Sequence, residues 1–210
     1  MSYHRPVEMP SEEALVLAFE KGLKSLVQRF RNHPYAFYTE SDMHCYLYHR
    51  LYQPIFNGLY KTKEGHDTIL LHKEYPTIAR YQRQSDKILK NDPNGRRRGH
   101  FDICIWNPNE IEGNPHRKQS VLCAAELALN ECGATSVHTV NDVIKLADSE
   151  NLVKHGYLLF FMRDQRLGGK AECRIQEALE DAATRVRVAF VQVNAGKKPR
   201  PEFIGDWRSP

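Results

Sequence analysis

The stretch His100-Phe101-Asp102-Ile103-Cys104-Ile105-Trp106 places a carboxylate inside an apolar strand. The next apolar strand, residues 120–130 (SVLCAAELALN), does the same with Glu126. Burying a carboxylate among apolar side chains is costly unless a metal ion or a positive partner compensates it. Two acids at such positions in consecutive strands indicate that they meet in the fold. There their oxygens would form a hard-ligand site that suits Mg²⁺ or Mn²⁺.

Each acid also has a simpler explanation. Asp102 can pair with an arginine from the run just before it, and Glu126 can lie on an exposed strand face. Acids in strands are usually paired or solvated. Their occurrence together, in this order and spacing, favours a shared site over two unrelated surface acids.

Composition is that of a globular protein, with 210 residues of which 41% are hydrophobic and 27% are charged. We expect an N-terminal helical extension over residues 1–36 and one domain over residues 37–210. No apolar run approaches the roughly 18 residues of a membrane span, so no membrane partner is expected. The five cysteines are an odd number without a Cys-x-x-Cys pair, which favours a reducing, cytoplasmic setting.

Hydrophobic periodicity and breakers predict an α/β fold with a mixed central sheet flanked by helices. Three successive strands imply antiparallel hairpins, and the later strand–helix–strand passage implies parallel pairing. The extra N-terminal helix has an apolar stripe that needs a partner, either the sheet or a second copy in a homodimer. The predicted helices are 11–31, 39 to Pro54, 138–153 and 170–184, and the predicted strands are 68–73, 100–106, 120–130, 157–162 and 187–193.

With this element order, residues 38–165 resemble the PD-(D/E)XK nuclease superfamily, which has a restriction-endonuclease-like core. That family's signature is an Asp on the second core strand and Glu-x-Lys on the third, and many members add a Glu on the first core helix. Asp102 matches the aspartate, Glu126 matches the glutamate and Glu40 resembles the helix acid.

The chain departs from the family pattern at the lysine, because the position two residues after the glutamate is Ala128. We expect Lys145, on the helix that follows this strand, to bring the missing charge into the site, with Lys73 as the second choice. An ordinary exposed lysine that pairs with Asp142 and Asp148 on its own helix is the competing interpretation of Lys145. A site that has lost its activity is the competing interpretation of the whole pattern.

The resemblance implies metal-dependent hydrolysis of phosphodiester bonds in DNA, with Mg²⁺ or Mn²⁺ as cofactor. It implies that Asp102, Glu126 and the backbone carbonyl of Leu127 hold the metal, with Glu40 completing the shell and Lys145 acting as the catalytic lysine. The alternative is a catalytically inactive module that binds nucleic acid or a protein partner.

A polar segment over residues 82–99 is predicted to be a mobile loop that ends beside the acidic site. It carries Arg83, Arg96, Arg97 and Arg98, and carboxylates repel a polyanion until nearby positive charge offsets them. We therefore expect these arginines to contact the phosphate backbone. The alternative is a solvated loop whose arginines only balance neighbouring aspartates.

Overall fold

A computed structural model describes residues 9–81, 97–111, 119–130, 136–163 and 186–192 of the protein. Within these ranges the fold is α/β, with a five-stranded sheet, a two-stranded sheet and four α-helices. This confirms the predicted mixed sheet flanked by helices. None of the described helices is long and apolar enough to cross a membrane.

The main sheet has the strand order β3-β4-β5-β6-β7, so every neighbour in space is also a neighbour in sequence. The first three strands pair antiparallel, and the last three pair parallel. Antiparallel neighbours can be joined by hairpins, whereas parallel neighbours need a crossover, and α4 lies between β5 and β6. The strands are β3 (Leu71–Tyr81), β4 (Arg97–Trp106), β5 (Val121–Asn130), β6 (Val153–Met162) and β7 (Val186–Gln192).

The predicted helix starts agree with the caps that the structure shows. Ser11 accepts a hydrogen bond from the Ala14 N–H, and Thr39 forms a reciprocal capping box with Asp42. Pro54 opens a further short helix, where its fixed φ is favourable, rather than ending the one before it. The helices are α1 (Glu12–Asn32), α2 (Glu40–Leu51), α3 (Pro54–Asn57) and α4 (Ser136–Ala147).

The apolar stripe of α1 is covered by the sheet, one of the two partners expected for it. Phe19 lies 5.7 Å from the ring of Tyr157 on β6, and the Tyr157 hydroxyl donates to Glu20 at 2.9 Å. The opposite sheet face carries α4, because Gly156 on β6 faces Leu146. The fully buried side chains of α1 are Leu15, Phe19, Leu23, Leu26 and Phe30.

The first core strand is longer than predicted. The expected strand 68–73 was closed at Glu74-Tyr75-Pro76, but β3 runs on to Tyr81. Pro76 is tolerated because β3 is an edge strand of the sheet, where one side of the backbone needs no ladder partner. A small antiparallel hairpin ahead of it, β1 (Tyr60–Lys61) with β2 (Asp67–Thr68), was not predicted.

The predicted loop 82–99 is also wrong at its C-terminal end. Arg97, Arg98 and Gly99 belong to β4, where Arg98 pairs with Arg80 of β3 in the ladder. The backbone pairing of β3 with β4 continues beyond their apolar residues into polar ones, so the apolar pattern alone makes the hairpin too short. Arg83 and Arg96, with the rest of residues 82–96, lie outside the described residues.

Two further boundaries differ from the prediction. The helix expected over 138–153 ends at Ala147, and a 3-10 turn over Ser149–Asn151 follows it. Leu152 then takes a left-handed conformation with φ 53°, and β6 starts at Val153 instead of Tyr157. The helix predicted over 170–184 lies outside the described residues.

Candidate active site

Asp102 and Glu126 are brought together by neighbouring strands. The ladder between β4 and β5 pairs Ile103 with Ala125, so its next step sets Asp102 opposite Glu126 on the same sheet face. The Leu127 N–H donates to Oδ2 of Asp102 at 2.7 Å, which fixes one carboxylate oxygen. The N–H and C=O of one strand residue face the same neighbouring strand, so the Leu127 carbonyl also faces β4.

Lys145 enters the site from α4, where its ammonium lies close to three oxygen atoms. Its Nζ lies 2.8 Å from Oε1 of Glu126 and 2.9 Å from Oδ1 of Asp142, and it donates to the carbonyl of His100 at 3.0 Å. The side chain of Glu126 is 3% exposed and that of Lys145 is 12% exposed. These contacts and this burial exclude the competing interpretation of Lys145 as an ordinary exposed lysine on its helix. The ammonium of Lys145 therefore lies at the Glu126 carboxylate. Ala128, two residues after Glu126 on the same strand, has no charged group to place there.

Gly99 makes room for the stem of this lysine. A Cβ on Gly99 would lie 2.9 Å from Cδ of Lys145 and 3.4 Å from Cγ2 of Thr77. The first distance is shorter than real Cβ contacts, so a side chain at residue 99 would collide with the stem of Lys145 where it crosses β4.

The first two turns of α2 supply two more polar groups. Glu40, the first helical residue, accepts a hydrogen bond from the Leu129 N–H through Oε1 at 3.0 Å. His44 lies four residues later on the same helix face, and its Nε2 is 3.2 Å from Oδ2 of Asp102. The helix therefore adds a carboxylate and an imidazole at the end of β5 and at Asp102.

Burial and crowding of negative charge raise the pKa of Glu126 well above its usual range. Asp102 and Asp142 add to that rise, and Lys145 opposes it. Burial likewise raises the pKa of Asp142, with Lys145 opposing and Asp102 and Glu40 adding to the rise. Burial acts to lower the pKa of Lys145, but Glu126 and Asp142 more than offset it, so the lysine stays charged. Carboxylates outnumber the one ammonium, and a divalent cation would relieve this imbalance.

The structure does not bring every predicted site residue to this cluster. Lys73, the second choice for the missing charge, is exposed, and its charge acts on His44 and not on Glu126. Arg97 and Arg98 are exposed on β4, the strand that carries Asp102, and neither is the ion-pair partner of Asp102 among the described residues. Arg83 and Arg96 lie outside the described residues.

Three residues of the site were missed by sequence reasoning. His44 had a detectable signal, since it lies one helical turn after Glu40. Asp142 was considered only as a surface partner of Lys145, three residues away on α4. Glu74 has no such spacing, and it reaches His44 only because β3 continues past the predicted end of the strand.

No family model, no curated protein and no solved structure matches the chain.

Proposed function

We propose that the protein is a nuclease that hydrolyses phosphodiester bonds in DNA with Mg²⁺ or Mn²⁺. The observation that carries the proposal is the contact of 2.8 Å between Lys145 Nζ and Glu126. This contact supplies the charge that the PD-(D/E)XK pattern places two residues after the glutamate, where this chain has Ala128. The order of antiparallel and parallel strands is also compatible with that resemblance.

The residues present fit a divalent cation. Asp102 and Glu126 offer hard carboxylate oxygens from adjacent strands. The Leu127 backbone faces β4, the strand of Asp102, and Glu40 contacts the end of β5. When bound, such an ion would neutralise charge on a phosphate and lower the pKa of a water molecule. Burial first, and the neighbouring carboxylates Asp102 and Asp142 second, raise the pKa of Glu126, and a bound cation would favour its ionised form.

Lys145 orients the attacking water and stabilises negative charge that develops on the phosphate oxygens. Its contacts with Glu126, Asp142 and the His100 carbonyl restrict the side chain before substrate arrives. Asp142 acts as a positioning residue, because it shares the ammonium with Glu126. Such preorganisation removes the cost of rearranging the group at the moment of reaction.

The exposed arginines of β4 support a nucleic-acid substrate. Arg97 and Arg98 lie on the same strand as Asp102, five and four residues before it. We assign them, together with Arg83 and Arg96, to phosphate contacts that position the backbone without reading its sequence. The buried free thiols of Cys104 and Cys123 support a cytoplasmic location.

Ala128 favours one other function, an inactive module that binds nucleic acid or a protein partner. That alternative has no use for a buried lysine at the acidic pair. The two functions differ in whether metal-dependent cleavage occurs at all.

The test is cleavage of plasmid and branched DNA in Mg²⁺, in Mn²⁺ and in EDTA. We expect wild type to cleave only with metal and Asp102→Asn to be inactive. Asp67→Asn is the matched control, because Asp67 is an exposed aspartate that pairs with Lys61 in the small hairpin. Absence of cleavage by wild type in either metal would contradict the nuclease and favour the binding module.

A further inference from the structure

A second group of metal-ligand residues adjoins the acidic pair. His44 on α2, Glu74 on β3 and Asp102 on β4 each offer a ligand atom, and these atoms all lie within 4.8 Å of one another. Donors about 2.1 Å from one ion stand at most about 4.2 Å apart. The difference is a small closing movement, and the side chain of Glu74, which is 57% exposed, is free to make it.

The imidazole of His44 is the informative member of this group. The side chain is 10% exposed, and Nε2 has no hydrogen-bond partner among the described residues, although Asp102 Oδ2 is 3.2 Å away. The contact is short but poorly directed for a hydrogen bond. Two ligand atoms of one metal ion also lie close together without a hydrogen bond, because the lone pair of each points at the ion and not at the other ligand. A buried ring nitrogen without a directed partner is otherwise costly.

The backbone at Glu74 is held in an unfavourable conformation. Its φ of 53° lies in the left-handed region that non-glycine residues rarely adopt. Such backbone strain tends to occur at functional sites. Here it occurs at Glu74, the third residue of the group.

We propose that His44, Glu74 and Asp102 form a second cation site that takes a transition-metal ion such as Zn²⁺ in preference to Mg²⁺. Imidazole nitrogen suits zinc and similar ions, whereas an all-oxygen set suits magnesium. Asp102 serves both sites, because an ionised carboxylate has about four lone-pair positions and only one Oδ2 contact is taken by the Leu127 N–H. The second site does not require that the protein be a nuclease.

The experiment measures Zn²⁺ binding by equilibrium dialysis in the presence of excess Mg²⁺. The compared chains are wild type, His44→Gln and Glu74→Gln, with His49→Gln and Glu150→Gln as exposed controls. In both site variants the affinity for one Zn²⁺ ion should fall by at least about tenfold, while the control variants should bind Zn²⁺ as wild type does. Thermal melts of each variant show whether the fold is retained. Long-range ¹H–¹⁵N spectra should show the His44 ring nitrogen shifting on Zn²⁺ addition.

Equal Zn²⁺ affinity in wild type and both site variants overturns the proposal, and so does a loss confined to His44→Gln. Glu126→Gln separates this site from the proposed activity. It should abolish cleavage and leave Zn²⁺ at the second site. If wild type does not cleave DNA but Zn²⁺ binding still depends on His44 and Glu74, the nuclease proposal fails and the cation site stands.

Discussion

Lys145 is the single residue on which the proposed chemistry most depends. Removing it would leave Glu126 buried beside Asp142 and Asp102 with no ammonium. We expect Lys145→Ala to lower cleavage by about 10²–10³-fold and stability by about 3–5 kcal/mol. Single-turnover cleavage and urea unfolding measure the two effects. Lys154→Ala is the control, because Lys154 forms an exposed ion pair with Glu12 and should cost less than about 1 kcal/mol.

The Lys145→Ala variant also allows a direct test of where the charge must lie. Ala128 is two residues from Glu126 on the same strand face, so Ala128→Lys in the Lys145→Ala chain should restore part of the cleavage. A double variant that is folded yet no more active than Lys145→Ala alone would argue against a catalytic lysine.

His72 provides a pH-dependent stability that is separate from the site. Its ring stacks on Trp106 at 3.9 Å, and burial lowers its pKa to about 4, against a small opposing effect of the Ile69 carbonyl. Between pH 6.5 and about 4, His72 is therefore protonated in the unfolded chain but neutral in the folded chain. This contribution is complete above pH 6.5 and is lost as pH falls, by up to about 3 kcal/mol.

We expect His72→Phe, which keeps the stacking, to remove this part of the acid sensitivity. Urea unfolding of both chains at several pH values between 7.5 and 4 measures it. The stability of His72→Phe relative to wild type should rise steadily as the pH is lowered. A constant difference across that range would mean that the imidazole does not titrate differently on folding.

For single residues, the sequence identified the acids that lie among apolar side chains but not the residues that contact them. Asp102 and Glu126 were detectable because apolar strand residues surround each of them. His44 and Glu74 come from separate elements, and nothing local in the chain indicates that they meet. Contacts of that kind depend on the register of β3, which the polar residues around Pro76 concealed.

At the scale of elements, β4 and α4 depend on each other through Gly99. The stem of Lys145 occupies the space that a side chain on residue 99 would need, and the lysine is fixed at its end by three contacts. We expect Gly99→Ala to displace the ammonium and reduce cleavage on the order of tenfold to a hundredfold. The overpacking should cost about 1–3 kcal/mol of stability.

Cleavage at saturating metal, with a urea titration of the same sample, separates the two effects of Gly99→Ala. Unchanged cleavage in a destabilised chain would mean that the lysine stem moves aside without losing its contacts.

The starts of α1 and α2 were easier to predict than the boundary of β3 at its C-terminal end. Ser11 and Thr39 act as caps through short-range hydrogen bonds, so the sequence alone places them correctly. The end of β3 is decided by pairing with β4 and by the open edge of the sheet, which a local pattern does not contain. Gly99 lies at the end of the predicted loop 82–99 but belongs to β4, for the same reason.

At the scale of the whole molecule, α1 is part of the core rather than an appendage. Its buried stripe lies on the sheet, and a Cβ on Gly22 would come within 2.5 Å of Leu51 on α2, so the two helices are in close contact. We expect Leu23→Ala to cost about 2–5 kcal/mol, because Leu23 is fully buried. Leu17→Ala, on the same helix but 67% exposed, should change stability by no more than about 0.5 kcal/mol.

Equilibrium urea unfolding of the two leucine variants measures this difference. Equal, small effects would mean that α1 detaches at little cost and that the remaining chain is stable by itself. The sequence predicted that the apolar stripe of α1 needs a partner and favoured the sheet over a second copy, but an apolar stripe does not by itself specify what it packs against.

The lysine that reaches Glu126 from α4 has a consequence for descent. If the site accepts a positive charge from the strand as well as from the helix, as the Ala128→Lys variant tests, the charge can change its element without leaving the carboxylates. A lineage could therefore gain a lysine on the helix first and lose the one on the strand later, with no inactive ancestor between. Relatives separated by such a step would share the position of a charge in space and not the letters of a motif.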